Sequence, residues 1–253
     1  MKPAPELTLG APFHRNLALE WLLIGAALLT TLSATLGLQM LYYVFKPLTM
    51  LLAMVLVVLR ARRCGALERF DILLLLALLA SMAGDIFLML PGNYFLPGLA
   101  SFLVAHFFYI AVFRQNTPWF PSHRALAGTL AAGAAMYIWV WTGLNDPVLK
   151  LAVATYVTVI ALMVAQAIGR ATVQKTRAAN AVAWGACAFM LSDSLIAINR
   201  FVQPLPLVSL WVLGSYYLAQ ILMVQNARPT ISSLNPSLLI AGHGPQSNHR
   251  VAP

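Results

Sequence analysis

Eight stretches of about 20 apolar residues, separated by short polar connections, dominate this 253-residue sequence. Because about 20 apolar residues in a helix cross the hydrocarbon core, and backbone groups in lipid must bond internally, each stretch predicts a membrane-spanning helix. The sequence therefore predicts an all-α fold, a polytopic membrane helix bundle of about eight transmembrane helices. The predicted spans are residues 17–38, 42–60, 70–90, 95–113, 124–143, 147–168, 179–200 and 206–225.

Three regions follow from this pattern. Residues 17–226 form a single predicted transmembrane domain, preceded by a polar N-terminal segment, residues 1–16. The C-terminal tail, residues 227–253, is rich in Pro, Ser, Asn, Gly and His, a composition that favours disorder.

Charge is scarce and unevenly placed. Hydrophobic residues make up 60% of the chain and charged residues only 9%, against about 25% charged residues in soluble domains, which excludes an ordinary soluble enzyme. The formal charge of +9 lies in short basic clusters, and 13 of the 16 Lys and Arg fall on one side of an eight-span topology. This bias predicts cytoplasmic termini in a bacterial inner (plasma) membrane, and it indicates topology rather than nucleic-acid binding.

Two carboxyl groups lie well inside predicted spans. Asp85 falls in the third span and Asp193 in the seventh, each about 10 Å below the outer end of its helix at ~1.5 Å per residue. A charge at the bilayer centre costs at least ~2.5–3.5 kcal/mol, so an intramembrane acid is a candidate functional residue. The alternative is that the two acids only lock helices together.

Further polar side chains are expected at a similar depth. Each also has a simpler interpretation, such as packing, an interfacial position or, for the two cations, reaching the outer headgroups. These candidates are Lys46, His106, Tyr109, Ser192, Asn199, Arg200, Tyr216, Tyr217 and Gln220.

No motif indicates a cofactor or a metal. The two cysteines, Cys64 and Cys187, form no metal-binding cluster, and only His106 lies inside the spans, whereas catalytic zinc takes three protein ligands. Nucleotide-binding, serine-hydrolase and HExxH patterns are also missing from the sequence. We therefore predict no cofactor and no metal site.

Taken together, the ordered motifs resemble the YhhN-like lysoplasmalogenase family. The resemblance covers residues 17–226, and residues 1–16 and the tail carry no family motif. It rests on the combination of Lys46-Pro47, Gly84-Asp85, His106-x-x-Tyr109, Ser192-Asp193 and Tyr217-x-x-Gln220.

This resemblance implies a hydrolase that cleaves the vinyl ether bond of a lysoplasmalogen, a single-chain ether phospholipid. The products would be a fatty aldehyde and glycerophosphoethanolamine or glycerophosphocholine. Such hydrolysis begins with protonation of the outer vinyl carbon and passes through an oxocarbenium ion. Paired carboxyl groups in different environments serve a similar transition state in glycosidases, so Asp85 and Asp193 are the predicted acid and base, in either order.

The other candidates receive binding roles under this hypothesis. Lys46 and Arg200 would bind the phosphate, and Tyr216 or Tyr217 the ammonium group. Hydrogen bonds to water or to an acid would come from His106, Tyr109, Asn199 and Gln220.

Two other classes of protein remain compatible with the sequence. A proton-coupled transporter would also carry intramembrane acids, and a weak four-helix echo between the acid-bearing spans fits a parallel repeat. A non-catalytic membrane interaction protein would use the acids as interhelical locks. The bilayer and a lysophospholipid are the predicted partners, and the sequence leaves the oligomeric state open.

Overall fold

A computed structural model describes residues 16–228, and over this range the chain is helical with short connections. Eight helices are long and apolar enough to cross a membrane, which confirms the predicted all-α bundle. The predicted polar segment lies outside the described residues except for Asn16, and so does the predicted tail except for residues 227 and 228. The helices are α1 (Leu17–Thr35), α2 (Gln39–Arg63), α3 (Arg69–Met89), α4 (Phe95–Arg114), α5 (His123–Val140), α6 (Pro147–Gln174), α7 (Arg177–Phe201) and α8 (Val208–Asn226).

Polar residues at the connections set where the helices begin. Asp146 accepts a hydrogen bond from the Val148 amide, just before α6, and Pro147 at the first helical position needs no partner for an amide hydrogen. Ser122 and Thr176 start α5 and α7 in the same way. The connections are therefore tight, and successive helices run antiparallel.

Two helices are each six residues longer than their predicted spans. α2 extends to Arg63, and α6 runs for 28 residues, about 42 Å at ~1.5 Å per residue, against ~30 Å of hydrocarbon. The extra turns carry arginines, which apolar windows exclude. One of them, Arg170, is buried and donates to the Ala227 carbonyl at the end of α8.

Seven helices close into a ring. Neighbouring contacts run α1–α2–α3–α4–α6–α7–α8 and back to α1, while α5 packs outside the ring, mainly on α6. Large apolar side chains cover the outer surface, and Trp184 and Ile138 each expose 72% of their area. Such a surface is expected where lipid surrounds the protein, so the buried interior of the ring is the place for polar chemistry.

The two ends of the bundle differ. One end, here called the basic end, holds the connections 64–68, 115–122 and 175–176 and both ends of the described chain. The other end, here called the site end, holds the connections 36–38, 90–94, 141–146 and 202–207. Asp85 and Asp193 lie in the parts of α3 and α7 that run toward the site end.

Candidate functional site

An apolar pocket opens between helices α3 to α7 and contains Asp193. Its empty volume is about 640 Å³, counted out to the open solvent at its mouth. Most of the lining is aliphatic or aromatic, and Asp193 is the carboxylate among the described lining residues. Its side chain is 13% exposed. An apolar ligand in this pocket would therefore lie directly against a carboxyl group.

Asp193 is held by a tyrosine from α6. The Tyr156 hydroxyl donates to Asp193 Oδ2 over 2.5 Å, and His106 Nε2 lies 3.9 Å from the same oxygen. His106 is fully buried, and neither ring nitrogen makes a hydrogen bond within the described residues. Its ring packs edge-on against Tyr156 and against Phe189, at centroid distances of 5.1 and 4.9 Å. A small shift would bring the imidazole into hydrogen-bond contact with Asp193.

Asp85 lies in a different cluster, inside the helix ring. Its Oδ1 forms an ion pair with Lys46 Nζ at 3.3 Å, and its Oδ2 accepts a hydrogen bond from the Tyr216 hydroxyl at 2.6 Å. Both members of the ion pair are almost fully buried, with side chains 5% and 4% exposed. Lys46 also donates to the Tyr42 hydroxyl at 3.1 Å. Each buried charge is thus compensated by the other, as burial requires.

Two phenylalanines join the Asp85 and Asp193 clusters. Phe102 packs edge-on against Tyr216 and against Phe189, with centroids 6.0 Å apart in both pairs. Phe189 in turn contacts Tyr216 on the Asp85 side and His106 on the Asp193 side. Each acid nevertheless has its own hydrogen-bond partners. We call Phe102 and Phe189 the aromatic layer.

Glycine is needed beneath this layer. A Cβ added at Gly84 would lie 2.6 Å from the Phe102 ring, closer than carbon atoms approach. Gly84 directly precedes Asp85. The Gly84-Asp85 pair therefore provides both the space that the Phe102 ring needs and the buried acid.

Other predicted site residues stabilise the helix ring. Tyr109 donates to Gln220 Oε1 at 2.6 Å in the buried interior, which links α4 to α8. Ser192 donates to the Val212 carbonyl on α8, and Asn199 accepts from the Leu205 amide in the connection before α8. Tyr217 is buried in the ring, and its hydroxyl makes no hydrogen bond within the described residues. The structure places none of these five in the lining of the apolar pocket.

Arg200 lies at the edge of the apolar pocket. Its guanidinium is 4.3 Å from the centroid of Phe95, which lines the pocket, and its Nη2 is 3.5 Å from Asn93 Oδ1. The residue is exposed, so its charge remains available at the site end. It is thus the predicted cation that lies next to the pocket, whereas Lys46 is engaged by Asp85.

The sequence analysis missed Tyr156, Phe102, Phe189 and Tyr42. Tyr156 could have been noticed as an isolated phenol in the apolar sixth span. The two phenylalanines carry no such mark, because an aromatic residue in a span usually packs against neighbours or lipid. Among residues 16–228, no group of three His, Cys, Asp or Glu side chains could hold a metal ion.

Comparisons with known proteins place this geometry in a family. Residues 41–227 match the YhhN family, a region that begins in α2 and includes both acid clusters. The chain is 37% identical over 147 residues to "Lysoplasmalogenase TMEM86B" of Sus scrofa, covering 58% of this chain and 59% of that protein. It is 30% identical over 151 residues to the Homo sapiens protein of the same name, covering 60% and 61%.

A bacterial relative shows similar agreement. The chain is 31% identical over 156 residues to "Lysoplasmalogenase" of Mycobacterium tuberculosis, covering 58% of this chain and 57% of that protein. The chain thus spans about 60% of the length of the curated relatives it matches. No solved structure matches it significantly. Since the family match covers most of the described helices, the chain is an integral membrane protein that belongs to the YhhN family.

Proposed function

We propose that this protein hydrolyses the vinyl ether bond of lysoplasmalogens, releasing a fatty aldehyde and a glycerophospho-base. The observation that carries the proposal is the position of Asp193, a carboxyl group inside an apolar pocket within the membrane-spanning region. Relatives named lysoplasmalogenase support the same reaction. A single aliphatic chain fits such a pocket, and it would bring its ether group against the acid.

The different partners of the two acids support a division of labour. A neighbouring cation favours the ionised form of a carboxyl group, and Asp85 has Lys46 at 3.3 Å. Asp193 is held instead by the neutral Tyr156 hydroxyl. We therefore assign Asp193 as the proton donor to the outer vinyl carbon and Asp85 as the carboxylate that stabilises the oxocarbenium ion and activates water.

The remaining contacts support positions for the lipid headgroup. Arg200, beside the pocket, would bind the phosphate, as a guanidinium pairs well with phosphate oxygens. Tyr156 would orient Asp193, and the vinyl ether would lie at the aromatic layer, between the two acids, with the lipid chain on the Asp193 side. The basic end would face the cytoplasm of a plasma membrane, because arginines and lysines concentrate there.

The test compares Asp193→Asn with wild type in purified protein, with aldehyde release from a lysoplasmalogen measured by mass spectrometry. We expect turnover to fall by about 10²–10⁴, the usual contribution of general acid–base catalysis. Asn retains an oxygen that accepts from Tyr156, so thermal stability should change little.

The matched control is Asp146→Asn, which lies in the connection before α6, away from both acid clusters. Turnover of Asp193→Asn within twofold of wild type would refute the proposed role of Asp193. Lysolipid flux into liposomes without aldehyde from the wild-type protein would favour a transporter instead.

A further inference from the structure

A second cavity lies at the site end, and it differs in chemistry from the apolar pocket. It occurs where α1 ends and where α2 and α8 begin, with an empty volume of about 430 Å³ counted out to the open solvent at its mouth. Hydroxyl and amide groups form much of its lining, from Ser33, Gln39, Tyr42 and Ser209. Water is therefore its natural occupant. We call it the polar cavity.

The polar cavity connects to Asp85 through a line of polar contacts. Tyr42 lines the cavity, and its hydroxyl accepts a hydrogen bond from Lys46 Nζ at 3.1 Å. Lys46 is in turn 3.3 Å from Asp85 Oδ1. Two side chains thus lead from the cavity to a carboxylate that is itself almost fully buried.

Unpaired polar atoms continue inside the ring beyond Asp85. Ser81, one helical turn before Asp85 on α3, is fully buried, and its Oγ makes no hydrogen bond within the described residues. The same holds for the Tyr217 hydroxyl and Gln220 Nε2 on α8. Tyr109 lies close to Ser81, and Thr30 lies close to Tyr217, but neither pair has the geometry of a hydrogen bond. Buried polar atoms are nearly always bonded to protein or to ordered water, so these groups are suited to bind water.

The apolar pocket does not offer a comparable route. Its lining is mostly hydrocarbon, and the aromatic layer lies between Asp193 and the Asp85 cluster. Vinyl ether hydrolysis nevertheless consumes one water molecule. After protonation of the outer vinyl carbon, water adds to the carbon bearing the ether oxygen, and the hemiacetal splits into an aldehyde and an alcohol.

We propose that water reaches Asp85 from the polar cavity, past Tyr42 and Lys46, while the lipid chain enters the apolar pocket from the opposite side, so that water and the vinyl ether meet at the aromatic layer. The use of this water in hydrolysis rests on the proposed function, whereas the water route itself does not. Tyr42 is a positioning residue in this scheme, since it acts on Asp85 through Lys46. The ring interior beside Ser81 is the inner end of the route.

The first experiment measures the route without any enzyme assay. In a background carrying Cys64→Ser and Cys187→Ala, the variants Ser81→Cys and Ser192→Cys are treated with Ag⁺, a thiol-reactive ion small enough to follow a water path. Protection from later alkylation in denaturant reports the reaction. Ser192 is a matched control, because it is equally buried but bonded to the Val212 carbonyl in a helix contact.

We expect Ser81→Cys to react with Ag⁺ at least about tenfold faster than Ser192→Cys, since only the former adjoins unpaired polar groups. A bulky reagent first attached to Ser209→Cys in the polar cavity should slow the reaction at Ser81→Cys. Equal and slow reaction at Ser81→Cys and Ser192→Cys would overturn the route. So would a rate at Ser81→Cys that the blocked cavity leaves unchanged.

The second experiment tests the use of this water. Tyr42→Phe should lower kcat at least about tenfold with little change in KM and should alter the solvent deuterium isotope effect. The control is Tyr43→Phe, because the Tyr43 hydroxyl accepts from Gln39 rather than from Lys46. Its kcat and isotope effect should match those of wild type. Normal kcat and isotope effect in Tyr42→Phe would refute the role of Tyr42. Failure of the proposed function would appear differently, as no aldehyde from wild type while Ser81→Cys still reacts with Ag⁺.

Discussion

Removing one member of the Lys46–Asp85 ion pair is expected to destabilise the protein far more than removing both charges. Asp85→Asn preserves size and an acceptor for the Tyr216 hydroxyl, but it leaves the Lys46 ammonium buried with the Tyr42 hydroxyl as its remaining hydrogen-bond partner among the described residues. An unpaired buried charge of this kind costs about 3–5 kcal/mol. For a domain of this size, that corresponds to a fall in Tm of about 6–20 °C.

The double variant Lys46→Met/Asp85→Asn eliminates both charges together. Because neutral replacements of buried ion pairs are often neutral or stabilising, we expect its Tm to return to within about 4 °C of wild type. The assay is thermal unfolding in detergent, followed by intrinsic fluorescence for wild type, both single variants and the double variant. The coupling free energy from this cycle should be about 3 kcal/mol or more.

A control pair at the basic end sets the scale for exposed charges. Glu68 pairs with Arg228 at 3.6 Å, but its side chain is 68% exposed, so Glu68→Gln should cost less than about 1 kcal/mol. If Asp85→Asn were as mild as Glu68→Gln, or if the double variant were as unstable as Asp85→Asn, the buried ion pair would not be the interaction described here.

Two further predictions concern the pocket. Gly84→Ala should lower the free energy of unfolding by about 1–3 kcal/mol and should lower turnover, because the new Cβ displaces the Phe102 ring. Gly25→Ala is the control, since a Cβ at that position meets nothing within 4 Å. Equal activity in both variants would contradict the role of the aromatic layer. Arg200→Ala should raise KM for a phosphate-bearing lysolipid about 3- to 10-fold at constant kcat, as expected for one solvent-weakened charge-assisted bond, and an unchanged KM would refute phosphate binding by Arg200.

Sequence alone was sufficient to predict the helices and the position of the two acids inside them, because both depend on composition along a continuous stretch. Lipid requires an apolar helix about 20 residues long, and a carboxylate within it stands out against its neighbours. The partners of the acids could not be found in this way. Tyr216 contacts Asp85 across 131 positions and Tyr156 contacts Asp193 across 37, and only the packing of the ring brings them together. The prediction of cytoplasmic termini stays a prediction.

The two acid clusters are built from corresponding helices of the two four-helix halves, α1–α4 and α5–α8. This correspondence agrees with the weak four-helix repeat in the sequence. Asp85 on α3 takes one partner from the preceding helix, Lys46, and one from α8, Tyr216. Asp193 on α7 takes Tyr156 from its own preceding helix and has His106 of α4 beside it. Each acid thus has a bonded partner on the helix before it and a close neighbour on the last helix of the other half.

Within this shared arrangement, the two acids differ in the partner that the preceding helix supplies. The preceding helix supplies an ammonium to Asp85 and a phenol to Asp193. One carboxyl group therefore lies in a compensated ion pair, and the other lies at an apolar pocket without a lysine or arginine partner among the described residues. Carboxyl groups in unlike environments can divide the roles of acid and base. If the Lys46–Tyr156 difference sets this division, Lys46→Met should impair the use of water at Asp85 more than lipid binding. The matching measurement is a larger fall in kcat than rise in KM, and a change confined to KM would show instead that Lys46 serves the headgroup.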